Sequence, residues 1–349
     1  MVEMKTVRGF DDFLLVPKYS DIKSRSEINT QVKVGDLVLD TPIIASPMST
    51  VTEAYMINAL SNLNTLGIVH RYNTVSFQKK LVSFIQNERF KSAAVGVTGD
   101  YKERLEELVN EGLRYVCVDI AHGDHILMQE ALSFIKTEYP DLFVIAGNVG
   151  TAEGYLRLNN WGADAVRLSV GSGSICTTRI QTGHGVPTMQ AIMDAYKAKQ
   201  RLEVNGEKAA LIIADGGIKN SGDIVKCLAV GADLVMLGSM LSGTKESPGK
   251  VIIMPDGSKC KRYNGMASKT AQKNWKGSYA SIEGVTSIVP YKGTVAKVVR
   301  EIMSNVRSGM SYSGARSLEE LRHKAELVLQ TSASSIESGP HIYRNGGKS

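Results

Sequence analysis

Eight short apolar, β-branched runs, each separated from the next by an amphipathic stretch, constrain this chain more than any other feature. They lie at 42–45 (PIIA), 66–70 (LGIVH), 93–96 (AAVG), 115–119 (YVCVD), 143–147 (FVIAG), 165–168 (AVRL), 211–215 (LIIAD) and 234–237 (LVML). Strands buried on both faces read as continuous apolar runs, and their alternation with helices means βα units feeding a parallel sheet. Between the runs, 102–110 (KERLEELVN) places Leu105, Leu108 and Val109 on one helical face, with Gly112 as its stop. A second helix is expected after Thr151, capped by that hydroxyl and ended by Gly162. The segments 162–168 and 231–237 repeat one pattern: a helix-terminating glycine, an Ala-Asp turn and a strand. Eight strands, most ending in polar or glycine residues, favour a closed (β/α)8 TIM barrel, an α/β fold, over an open doubly wound sheet. No GxGxxG follows the first run, which removes the usual dinucleotide fingerprint. The expectation is one catalytic domain over 1–349, with a flexible tail at 345–349.

In such a barrel, chemistry gathers where strands end. Ser46 to Ser49, His70 with Arg71, Asp119, Gly147 with Asn148, Asp215 to Gly217, and Gly238 with Ser239 all fall there. After the sixth run comes GSGSICTT at 171–178, a cysteine between a glycine-rich, phosphate-sized loop and two hydroxyls. Glycines let backbone N–H groups approach an anion, and a thiol beside such a positive concavity has reason to ionise and attack. The plainer alternative is a turn followed by a buried, inert cysteine. Three glycine-bearing loops on neighbouring strands strengthen the phosphate reading.

The bulk figures narrow the class of partner. The net charge of +6 is spread along helical segments, and aromatics make up only 6%, so a base-stacking nucleic-acid surface has little support. No signal core or stretch near the roughly 18 apolar residues of a membrane span is present. Four cysteines without a CxxC pair suggest neither zinc nor disulfides, and fit a reduced, cytoplasmic protein.

Several motifs in order resemble the IMP dehydrogenase and GMP reductase family: SPMSTVTE (46–53), AGNVGT (146–151), GSGSICTT, IADGGI (213–218), GADLVMLGSML (231–241) and YNGMAS (263–268). The resemblance runs from DDFLL at 11–15 to SGARSL at 313–318. It implies that Cys176 adds to C2 of a purine mononucleotide. It implies that Ser174, Gly217, Gly238, Ser239 and Tyr263 hold the phosphate, Asp215 the ribose hydroxyls, and Met266 with Ser268 the base edge. Asp119 and Asn148 would sit on the nicotinamide side, with Arg71 beside base or cofactor. Two plainer roles stay open: Asp119 capping the next helix, and Arg71 pairing with a loop acid.

The family's two branches differ in the fate of the adduct. The reductase expels ammonia from GMP and takes hydride from NADPH to give IMP; the dehydrogenase sends hydride from IMP to NAD and hydrolyses the adduct. Reductase-like features are SRSE at 24–27, TGHG at 182–185, and a short flap, expected to be mobile around 266–290, without the Arg-Tyr pair that activates water in dehydrogenases. Only about 20 residues follow Asn73 before the third run, leaving no room for a regulatory insert. Dehydrogenase-like features are PYKG at 290–293, ESGPH at 337–341 and Ser172-Gly173-Ser174 without a proline. Ser49 replaces an aspartate common to both branches. The balance favours the reductase, with Thr178 and Glu283 relaying a proton to the departing ammonia. A dehydrogenase, or a barrel that binds guanine nucleotides without turnover, are the alternatives. The resemblance further implies a homotetramer, and a monovalent cation such as K+ on carbonyls of Gly171, Gly173 and Cys176 with the tail at 337–341.

Overall fold

The computed structural model describes residues 4–279 and 281–339. Its centre is a parallel sheet of strands β1 (Ile43–Ala45), β2 (Leu66–Gly67), β3 (Ser92–Val95), β4 (Tyr115–Asp119), β5 (Phe143–Val149), β6 (Ala165–Leu168), β7 (Leu211–Asp215) and β8 (Leu234–Leu237). The sheet runs β2-β1-β8-β7-β6-β5-β4-β3. Just past β2, Val69 bridges in parallel to Ala93 of β3 and closes the ring. Val69 donates its N–H to Ser92 O at 3.1 Å and accepts from Ala94 N at 2.8 Å. This is the expected TIM barrel.

Eight main helices wrap it: α1 (Ala54–Ser61), α2 (Val75–Ser83), α3 (Tyr101–Asn110), α4 (Ile126–Glu138), α5 (Ala152–Asn160), α6 (Thr188–Val204), α7 (Ser221–Ala229) and α8 (Val295–Tyr312). In α3, Leu105 and Leu108 are fully buried, and Gly112 follows with φ +85°, a conformation that suits glycine. Thr151 caps α5 by accepting from Gly154 N at 3.0 Å.

The repeated Gly-Ala-Asp turn works as a register lock. Asp164 accepts from Val144 N at 2.9 Å and from Lys136 Nζ of α4 at 2.6 Å. Asp233 does the same one repeat later, accepting from Ile212 N at 2.7 Å and from Lys199 Nζ of α6 at 2.7 Å. Each aspartate thus ties the start of its own strand to the preceding strand and to the helix that leads into that strand, and strand register sets which residues reach the mouth.

Two additions were not read from the periodicity. The strands Phe13–Leu15 and Leu327–Leu329 pair antiparallel and bring the two ends of the chain together. After β8, a three-stranded sheet of Ile252–Ile253, Lys259–Asn264 and Thr286–Pro290 rises beside the mouth and carries the short helix Lys269–Lys276. No described helix is long and apolar enough to cross a membrane. The expected tail at 345–349 lies outside the described residues.

Candidate active site

The strand ends surround a cavity of about 250 Å³ lined by all the predicted loops: Ser46–Met48, Arg71, Asp119, Asn148, the cysteine loop, Asp215–Gly217 and Gly238–Ser239. Cys176 is half-buried in its wall, so the inert-cysteine alternative fails. Its Sγ donates to Thr178 Oγ1 at 3.2 Å, and Thr178 Oγ1 donates to Glu283 Oε2 at 2.7 Å. The other Glu283 oxygen accepts from Ser281 Oγ at 3.2 Å. Main-chain bonds hold this arrangement: Thr177 N to Glu283 O at 2.8 Å, Val285 N to Ile175 O at 3.0 Å and Glu283 N to Ala267 O at 3.1 Å. Residues 105 positions apart therefore form a continuous S–H···O–H···carboxylate chain.

Beside it lies a buried charge network. Arg167 of β6 donates to Asp119 Oδ1 at 2.6 Å and to Asp215 Oδ2 at 2.8 Å. Asn148 Nδ2 also donates to Asp215 Oδ2, at 2.8 Å. Burial opposes ionisation of Asp119, but the guanidinium charges of Arg167 and Arg71 outweigh it and hold the carboxyl below its usual range. Burial likewise works against the charge on Arg167, yet Asp215 and Asp119 raise its pKa well above the ordinary value. Cys117, which accepts from Arg167 at 3.4 Å, is pushed up to about 12 by burial and is no rival nucleophile. All three donors to Asp215 use Oδ2, leaving Oδ1 without a protein partner among the described residues.

Across the mouth the wall is lined by glycines and Tyr263. Gly216 and Gly217 have φ +91° and +77°, which glycine adopts without strain, and a Cβ on Gly238 would stand 2.9 Å from Tyr263 Oη. Tyr263 is buried, which pushes its hydroxyl up to about 12, so it stays a donor at neutral pH. Met266 reaches the cavity, its sulfur accepting from Ser49 N at 3.3 Å.

Thirteen of the fourteen residues singled out from the sequence as catalytic, substrate-binding or cofactor-binding border this cavity or its relay. Ser268 does not: it is 1% exposed, and its hydroxyl caps the helix Lys269–Lys276 by accepting from Ala271 N at 3.2 Å. Asp119 is not a helix cap, since His125 caps α4. Arg71 does face an acid, 3.5 Å from Asp119 Oδ2, and also lies over the rings of Tyr72 and Trp275, 5.2 and 5.4 Å from their centroids. The proposed cation loop fits poorly. The Gly173 carbonyl already accepts from Cys176 N at 3.0 Å, and Arg179 brings a positive charge onto the loop, donating to Ser172 Oγ at 2.7 Å. Of the tail segment expected to complete it, 340–341 lie outside the described residues.

Residues 8–341 match the IMP dehydrogenase / GMP reductase domain. The chain belongs to that family. Relatives include the GMP reductase of Ligilactobacillus salivarius, 36% identical over 93% of this chain and 97% of that one. The inosine-5'-monophosphate dehydrogenase of Borreliella burgdorferi is 33% identical over 97% of both. Among solved structures, GMP reductase from Trypanosoma brucei in complex with guanosine 5'-monophosphate superposes with a TM-score of 0.89 at 28% identity, covering 97% of this chain and 98% of that one. The chain is thus an oxidoreductase of purine nucleotides in a family that uses NAD(P).

Arg167, Tyr72 and Trp275 were not singled out from the sequence. A charged residue within a run otherwise as apolar as AVRL was the available signal for Arg167, because a barrel strand buries it. The Tyr72–Trp275 contact, with centroids 4.3 Å apart, joins a strand-end loop to the flap helix and has no local signature.

Proposed function

We propose that this chain is a GMP reductase, converting GMP to IMP and ammonia with NADPH as reductant. The observation that carries the reading is the chain from Cys176 through Thr178 to Glu283. Along it the thiol proton passes to Thr178 oxygen while the Thr178 proton passes to the Glu283 carboxylate, leaving a thiolate. The sulfur bonds to C2 of the purine, and the C2–N bond breaks. The amine leaves as ammonia once it takes the proton stored on Glu283, so the proton lost by sulfur is the one gained by nitrogen. Arg167 holds Asp215 toward the ribose and Asp119 toward the cofactor side.

The residues on that side suit a nicotinamide. Asn148 gives its amide protons to Asp215 and to Ser169 O at 3.2 Å, so its Oδ1 has no protein partner among the described residues and can accept from a carboxamide. The cofactor, when bound, supplies hydride to C2. Sulfur then departs as thiolate, and the one proton that the net reaction consumes enters from solvent at Glu283 and passes through Thr178 to restore the thiol.

The flap supports this direction over hydrolysis. From Met266 to Pro290 it contains no arginine or histidine, and Glu283 is its only acid. That acid already serves the thiol. The dehydrogenase reading keeps one specific support, because the same relay run through a bound water would deprotonate it. We further propose a homotetramer and a mobile flap, both from family likeness.

Two spectrophotometric assays separate the possibilities. Purified protein with GMP and NADPH should lose absorbance at the reduced cofactor's band, and with IMP and NAD+ should gain none. The reverse outcome makes it a dehydrogenase, and binding of GMP without either signal makes it a non-catalytic barrel. Cys176→Ala should abolish turnover by many orders of magnitude while retaining nucleotide binding; a loss of only a few-fold would exclude covalent catalysis.

A further inference from the structure

Two lysines lie behind the phosphate-binding wall, and neither belongs to the cavity. Lys292, just after the strand Thr286–Pro290, donates from Nζ to Ser239 O at 2.7 Å and Met240 O at 3.1 Å. Lys261, 3% exposed in the strand Lys259–Asn264, donates to Ser247 O at 2.5 Å and Lys245 O at 3.2 Å. The two ammonium groups thus hold one continuous segment, 239–247, which begins in the wall where Gly238 and Ser239 meet the ligand. Backbone bonds reinforce the grip: Lys292 N to Gly243 O at 2.9 Å and Lys245 N to Gly293 O at 2.7 Å.

The charge balance here is unusual. A buried ammonium normally faces a carboxylate, since main-chain carbonyls alone replace its hydration poorly. Lys292 has no such partner among the described residues, and burial lowers its pKa with no opposing acid. Lys261 has only Glu246 nearby, and that carboxylate accepts from Val295 N at 2.7 Å, at the start of α8. Half-buried Lys292 is therefore held by main-chain carbonyls and by no carboxylate among the described residues, while buried Lys261 has Glu246 close by.

Peptide geometry sets the direction of the next main-chain donor. A trans peptide points its C=O and N–H in opposite directions. With the Ser239 carbonyl held on Lys292, the N–H of Met240 is directed to the other side of that peptide, and it has no main-chain acceptor among the described residues.

We propose that Lys292, seconded by Lys261, is a positioning residue for the nucleotide phosphate: it holds the Ser239–Met240 carbonyls away from the cavity and supplies, through one layer of backbone, the charge that a phosphate dianion balances. This rests on the proposed mononucleotide substrate. Lys292 acts on the phosphate alone, so its loss separates nucleotide from nucleoside.

The test uses the full chain and needs no turnover. Alkylation of Cys176 by iodoacetamide is followed by intact mass, with GMP, IMP, guanosine or inosine as protectants. In Lys292→Met the protecting concentration of GMP and IMP should rise about 30-fold, with that of the nucleosides changed less than about threefold. Lys292→Arg, which keeps the charge, should recover much of the difference. Lys261→Met should show a smaller nucleotide effect, because Glu246 partly offsets its charge. Equal loss for nucleotide and nucleoside, or no loss, overturns the proposal, and the ratio is an internal control for misfolding. If neither GMP nor IMP protects the wild-type protein, it is the substrate reading that fails.

Discussion

Replacing Glu283 by glutamine keeps the shape of the flap and removes one capacity, that of taking up a proton. The main-chain bonds of Glu283 to Thr177 and Ala267 are untouched, so the flap stays docked against the cysteine loop. The amide oxygen still accepts from Thr178, at roughly half the strength of the charge-assisted 2.7 Å bond it replaces. What is lost is general acid–base work at both the thiol and the leaving amine, worth about 10²- to 10⁴-fold, or about 3 to 5 kcal/mol of barrier. Steady-state consumption of NADPH in the presence of GMP reads this loss in kcat. Protection of Cys176 by GMP should stay within about threefold of wild type, because Glu283 reaches Thr178 rather than the phosphate wall. Thr178→Val interrupts the same chain one step earlier. It should cost a similar factor, and the double variant little more than either single one, since the residues act as a unit. A Glu283→Gln enzyme within about threefold of wild-type kcat would refute the relay.

Three further outcomes follow from the same geometry. Iodoacetamide should label Cys176 well before Cys117 and Cys227, which are fully buried with raised pKa values; early labelling of either would contradict the packing. Arg167→Leu leaves half-buried Asp215 without its cation and Asp119 with Arg71 alone, and should cost about 1–4 kcal/mol in denaturant unfolding near neutral pH. The native Asp119 carboxyl is held below its ordinary 3.8, so its stabilisation is complete above that value and fades as pH falls through the folded pKa. The gap between variant and wild type should therefore narrow in acid, and a gap that widens would reverse the sign of the argument. Gly238→Ala places a Cβ 2.9 Å from Tyr263 Oη and 3.1 Å from Met48 Sδ, and should raise the GMP concentration needed for half-maximal rate about tenfold or more through about 1–3 kcal/mol of crowding. An unchanged KM would show that this wall does not carry the phosphate.

The sequence by itself determined the barrel and the location of its chemistry. Apolar runs such as LIIAD and LVML, alternating with amphipathic helices, belong on a parallel sheet covered on both faces, which puts Asp215 and Gly238 at its C-terminal edge. Cys176 with Thr178 was legible because two positions in one loop carried both partners. The tertiary structure decided the rest. Arg167 became the counter-ion of Asp119 and Asp215 only because the closed sheet brings the ends of β4, β6 and β7 round one mouth, and the Ser268 hydroxyl is taken up as a helix cap. Lys292 reached the carbonyls of Ser239 and Met240 because the three-stranded sheet folds down onto 239–247, far from it in sequence. Periodicity records which residues must be buried together; which charges then face one another depends on strand order and loop docking, where side-chain spacing along the chain carries no information.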